Sequence, residues 1–187
     1  VDFIETVEQR YGPIDLFCSN AGIARGRGLE TSNEIWRQVM DVNVMAHVHA
    51  VRAVLPEMLE RGSGYLLHTA SMAGILTTPG NAHYSVAKHA VVGLAEWLGI
   101  HYHDRGIRTS LLVPLGVNTP MLPPGADRVA GPIREPEEVA LQVVDAMREE
   151  RFLILTDPMT LERFAQFIRE QSARWGKVIR AGNITAN

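Results

Sequence analysis

The feature that constrains this chain most is a repeated alternation. Short apolar runs at residues 14–18, 65–70, 107–113 and 152–156 are each separated from the next by a stretch of helical period. Strand, helix, strand is the order that parallel pairing demands, because parallel neighbours need a crossover connection. Runs this continuously apolar belong to strands covered on both faces. The expected fold is α/β: a doubly wound parallel sheet with helices on both sides.

The connections can be read in the same way. Phe3, Ile4 and Val7 lie at helical spacing in residues 1–11, and Gly12-Pro13 ends that helix before the first strand. Residues 33–61 read as one long helix, capped by Thr31 or Ser32, bent at Pro56 and closed by Gly62. A second long helix covers 82–104 and stops before Gly106. A Pro- and Gly-rich loop at 114–135 leads to a helix at 136–149, and a last helix is expected from about 158. All 187 residues are read as a single domain with one core.

Composition narrows the function classes. The 18 Lys and Arg are scattered and the formal net charge is -3, so no basic face is offered to nucleic acid or anionic lipid. Cys18 is the single cysteine and cannot form an internal disulfide, and no apolar run approaches the roughly 18 residues of a membrane span. A reducing, cytoplasmic setting is expected, in which the sequon Asn183-Ile184-Thr185 carries no weight. The chain opens at Val1 with what reads as the end of a helix, without the layout of a signal peptide, so a preceding segment is expected.

In a doubly wound sheet, ligands bind beyond the carboxyl ends of the strands. The residues there are Asn20, Ser71, Pro114 and Asp157. Ser19-Asn20-Ala21-Gly22 offers small residues that let a flat ligand approach backbone, though the same residues make an ordinary loop. Gly22, Gly26 and Gly28 suggest a phosphate cradle, but the next helix opens several residues later, so a turning loop is the better reading. Ser71 can point a hydroxyl into a cleft or can simply cap the next turn.

Tyr84 and Lys88 stand one helical turn apart, so an ammonium lies beside a phenol and can favour its ionised form. A surface Tyr and Lys would show the same spacing. Asn43 is polar on an apolar helix; it could be satisfied by local backbone, or it could break the helix and hold a water near a catalytic group. His47 with His49, and His101 with His103, point to different helix faces, so no metal site is expected. A serine hydrolase is a remote alternative, because Ser71 lies in Ala70-Ser71-Met72-Ala73-Gly74 and not in G-x-S-x-G.

Together these residues resemble the classical branch of the short-chain dehydrogenase/reductase family. Ser19-Asn20-Ala21-Gly22 is similar to N-N-A-G, Asn43 falls in the helical N-V context, and Ser71 precedes Tyr84 at the usual gap. Lys88 completes Y-x-x-x-K, and Pro114-Leu115-Gly116-Val117-Asn118-Thr119 resembles P-G-x-V-x-T with the glycine displaced. The resemblance runs from residue 1 to at least 157. Ser19, Ala70 and Leu115 depart from the pattern without removing a catalytic group. The family's first strand, its glycine-rich phosphate loop and the residue that selects NAD or NADP have no counterpart here.

The resemblance implies a Rossmann-like fold lacking its N-terminal strands, and hydride transfer between NAD or NADP and a secondary alcohol or ketone. Tyr84 would exchange the proton, Ser71 would polarise the substrate oxygen, and Lys88 would lower the Tyr84 pKa and bond the nicotinamide ribose. Asn43 would hold a relay water. Asn20, Ala21, Gly22, Pro114, Gly116, Val117 and Thr119 would line the cofactor, with Thr119 at the carboxamide. Met121, Leu122, Met159, Leu161 and Phe164 suggest an apolar substrate. A homodimer or homotetramer built on helices at 40–60 and 86–100 is expected. The different-class alternative is a redox-inactive, oligomer-forming module; a bare edge at 14–18 and weak cofactor binding by the 187 residues alone are expected in either case.

Overall fold

The alternation folds as expected, with changes at its joints. The computed structural model describes residues 2–77, 80–122 and 133–157, together with 162, 166, 169 and 170. Strands β1 (Leu16–Ser19), β2 (Gly64–Thr69), β3 (Ile107–Val113) and β4 (Leu153–Leu155) pair in parallel, in the order β1-β2-β3-β4. The helices are α1 (Asp2–Tyr11), α2 (Asn33–Met40), α3 (Ala46–Arg61), α4 (Ala82–Tyr102) and α5 (Pro136–Arg148).

Side chains alternate along each strand, and the two faces find different helices. Leu66 and Ile107 pack with Val51, Val54, Leu55 and Met58 of α3 and with Leu98 of α4, while Leu111 and Val113 meet Val91 and Ala95 of α4. On the opposite face Leu67, Leu112 and Ile154 pack against Val139, Val143 and Ala146 of α5. Over β2, β3 and β4 both faces are therefore covered, as near-continuous apolar strands require.

β1 begins at Leu16 and not at residue 14. The ladder opens where the Tyr65 N–H donates to the Asp15 carbonyl at 2.8 Å, just beyond Pro13, which has no N–H to contribute. β1 pairs only with β2 among the described strands, and Leu16 and Cys18 are exposed. The stretch expected as one helix over 33–61 is two, joined by a π-helical turn at Asp41–Met45. Ser32, not Thr31, is the cap, its hydroxyl accepting from Ile35 N; Gly62 closes α3 with φ 67, and the helix continues through Pro56.

Two further features bear on the site. The register sets Ser19 beside His68, Thr69 beside Leu112 and Val113 beside Leu155, so the carboxyl ends of all four strands form one edge. The loop after β3 is pinned at its base. Asn118 N donates to Arg134 O at 2.8 Å, Arg134 N donates to Gly116 O at 2.9 Å, and the Arg134 guanidinium lies 4.0 Å from the Asp157 carboxylate. Residues 123–132 of that loop, Met159, Leu161 and Phe164 of the helix expected from about 158, and the sequon lie outside the described residues; residues 162, 166, 169 and 170 of that expected helix are helical. No helix among the described residues is long and apolar enough to cross a membrane.

Candidate active site

β2 delivers Ser71 to the carboxyl edge in an extended conformation, φ -174 and ψ 161. The hydroxyl caps a short 3-10 turn, Met72–Gly74, by accepting from Ala73 N at 3.2 Å. The turn packs directly on α4. A Cβ added to Gly74 would stand 2.5 Å from the Lys88 carbonyl oxygen, closer than real Cβ atoms approach. Glycine at this position lets Ser71 come down beside the helix that carries Tyr84 and Lys88.

Lys88 is 3% exposed. Its Nζ donates to the Thr69 carbonyl at 2.9 Å and lies 5.8 Å from the centre of the Tyr84 ring. Burial lowers its pKa to about 8, so the ammonium persists at neutral pH with two N–H groups left after the Thr69 bond. Tyr84 is half-buried. Burial raises its phenol above the ordinary value, and a hydrogen bond with Ser71 draws it back.

Asn43 is wholly buried in the π-helical turn. Its Oδ1 accepts from Ile23 N at 2.7 Å and its Nδ2 donates to Ile23 O at 2.8 Å. Neither reading from sequence anticipated this: the backbone that satisfies it belongs to the strip after β1. That strip is drawn tight against the site, and a Cβ on Gly22 would lie 3.4 Å from Asn43 Oδ1 and 3.5 Å from Lys88 Nζ. A second strap comes from His83, whose Nε2–H donates to the Arg25 carbonyl while its ring meets Trp36 edge-on. Gly26 and Gly28 adopt φ 74 and 54, which fits a turning loop.

The remaining expected residues fall along the same edge. Asn20 and Ala21 are exposed beyond β1, and Thr119 is exposed beyond β3. The Pro114 carbonyl accepts from Met72 N at 2.9 Å, tying the β3 end to the Ser71 turn. Gly116 is buried, its carbonyl spent on Arg134 N, and Val117 bridges to Arg134. These groups fit one end of a dinucleotide: free ammonium donors, small residues and an exposed Thr along one cleft edge. Among the described residues no group of three or more His, Cys, Asp or Glu could hold a metal ion. Sequence reasoning missed Thr69, Gly74 and His83; the glycine just after Ser71 was the available signal for close packing.

The family model described as short chain dehydrogenase matches residues 1–130. The chain belongs to the short-chain dehydrogenase family. It is 38% identical, over 160 residues, to the 1-deoxy-11-beta-hydroxypentalenate dehydrogenase of Streptomyces exfoliatus, a match covering 82% of this chain and 58% of that protein. An uncharacterized NAD-dependent oxidoreductase of Mycobacterium tuberculosis is 38% identical over 120 residues, 63% of this chain and 44% of the relative. The short-chain dehydrogenase/reductase of Burkholderia phymatum solved in complex with NAD superposes with a TM-score of 0.82 at 30% identity, covering 91% of this chain and 70% of that one. The chain thus spans about half the length of the curated family members it matches.

Proposed function

We propose that this chain supplies the catalytic residues of an oxidoreductase that transfers a hydride between NAD or NADP and a secondary alcohol or ketone, with an apolar substrate preferred. The observation that carries the reading is the convergence of Ser71, Tyr84 and Lys88 at one sheet edge, with Lys88 buried and still cationic at neutral pH. The mycobacterial relative is named as NAD-dependent and the Burkholderia structure holds NAD, which supports the choice of cofactor.

A nicotinamide bound at this edge would supply or accept the hydride. Tyr84 exchanges the hydroxyl proton: its O–H protonates the developing alkoxide in reduction, leaving a phenolate, and the phenolate takes the alcohol proton in oxidation. Ser71 donates to the substrate oxygen and steadies the same charge. Lys88, held by Thr69, keeps two donors for ribose hydroxyls and a positive charge beside the phenol. Asn43 fixes the Ile23 backbone, and Asn20, Ala21, Gly22, Pro114, Gly116, Val117 and Thr119 border the cofactor. Met121, which is exposed, and Leu122 contribute apolar surface toward the substrate side.

A homodimer or homotetramer belongs to this reading. Val86, Trp97 and Ile100 are exposed along α4, more apolar surface than a solvent-facing helix needs. Sedimentation of the whole protein should give a dimer or tetramer, and a stable monomer at micromolar concentration would remove this part of the proposal.

The activity is tested by following nicotinamide absorbance with apolar secondary alcohols and ketones. Turnover with NAD or NADP that Lys88→Met depresses, together with weaker cofactor binding, is expected. A protein that hydrolyses carboxylic esters through Ser71 and leaves both cofactors unchanged would overturn it.

A further inference from the structure

Two histidines that the proposed chemistry does not use lie against each other behind Lys88. His47 on α3 and His68 on β2 are each 1% exposed. Their rings stack with centroids 5.3 Å apart, and their Nδ1 atoms are 3.0 Å apart. Neither Nε2 has a hydrogen-bond partner among the described residues. A hydrogen bond between two Nδ1 atoms needs a proton on one and a lone pair on the other. Two neutral rings in this contact must therefore be opposite tautomers.

The pair joins the two elements that set up the site. His47 follows Asn43 by one helical turn, and His68 immediately precedes Thr69, whose carbonyl holds the Lys88 ammonium. We propose that the His47–His68 pair is a positioning element for Lys88, an uncharged imidazole bond that locks the turn bearing Asn43 to the strand end bearing Thr69. The proposal rests on the role given to Lys88 above.

The lack of charge is part of the device. Among the described residues, Lys88 on α4 acts on His47, and Cys18 on β1 lines the same small cavity as His47. Burial, then His68 and Lys88, push His47 down to about 3, and burial pushes His68 down to about 4. A proton on either ring would set a second buried cation near the Lys88 ammonium. A neutral bond keeps the spacing without that repulsion.

Replacements at His68 separate positioning from mere filling of space. An Asn carboxamide places a donor and an acceptor where the His Nδ1 stood, a Gln carboxamide reaches the Nε2 position, and Leu offers neither. In the whole protein, His68→Asn should keep kcat within about twofold, while His68→Gln and His68→Leu should lower it about tenfold or more and move the pH at which Lys88 titration changes the rate. Nitrogen NMR of histidine-labelled protein should show two neutral rings of opposite tautomer near neutral pH, both altered in His47→Asn and His68→Leu. The proposal is overturned if the rings share one tautomer or carry charge there, or if His68→Leu only lowers the melting temperature and leaves kcat and its pH profile untouched. Full turnover in Lys88→Met would remove the functional reading, and the positioning role with it, while the tautomer result would still stand as a fact about the pair.

Discussion

The carboxamide of Asn43 closes a two-bond ring on the peptide of Ile23, its Oδ1 accepting from Ile23 N at 2.7 Å and its Nδ2 donating to Ile23 O at 2.8 Å. A helix side chain thereby fixes the backbone that follows β1, and a π-helical turn exists where the side chain must reach out of the helix to do it. The consequence is a rigid floor beneath Gly22 and Lys88.

Removing that ring should cost both stability and rate. In Asn43→Ala the Ile23 N–H and carbonyl lose their partners, so unfolding in urea should show a loss of about 2 kcal/mol. Asn43→Asp should lose at least as much, because a carboxylate oxygen replaces the donor to Ile23 O and sets two acceptors together at a wholly buried position. Asn43→Ala as stable as the parent would show that the ring positions nothing.

Gly74 offers a sharper steric test. Gly74→Ala drives a methyl into the Lys88 carbonyl, 2.5 Å from the added Cβ, and must displace either the turn after Ser71 or α4. A loss of about 1 to 3 kcal/mol and a fall in kcat are expected.

The buried bases give the fold a pH signature. His47 and His68 fall from an ordinary 6.5 to about 3 and about 4 in the folded chain. Their contribution is fully present above the unfolded value and drains away as pH drops from 6.5 toward 4, because the unfolded chain takes up protons that the fold refuses. Lys88, lowered from 10.5 to about 8, acts over a different window: the cost of burying its charge is relieved as pH rises from 8 toward 10.5, so its effect on stability climbs there. Denaturation midpoints measured against pH should show both limbs. Lys88→Met should flatten the alkaline one and His68→Leu should weaken the acid one.

Local patterns were legible in the sequence and long-range ones were not. β3 falls where its apolar run does, Ile107–Val113, and the Tyr84–Lys88 pair follows from helical spacing alone. Strand ends elsewhere shifted by a residue or two because pairing partners, such as the Asp15 carbonyl for Tyr65, decide where a ladder starts. A break of the helix at Asn43 was legible from its polarity on an apolar helix, but its partner was not, because Ile23 lies far upstream. The His47–His68 contact was hidden for a like reason: helical spacing pairs histidines only along one helix, whereas this contact joins a helix to a strand. His68 facing the same side as Leu66 was the signal that could have found it.

The central claim is that Tyr84 exchanges the substrate proton between Ser71 and Lys88, and one substitution addresses it directly. Tyr84→Phe removes the phenolic O–H and keeps the ring over Lys88. With kcat followed by nicotinamide absorbance on an apolar secondary alcohol that the parent oxidises, the account predicts a fall of about 10² to 10⁴, with cofactor affinity changed little. Parental turnover in Tyr84→Phe would contradict it.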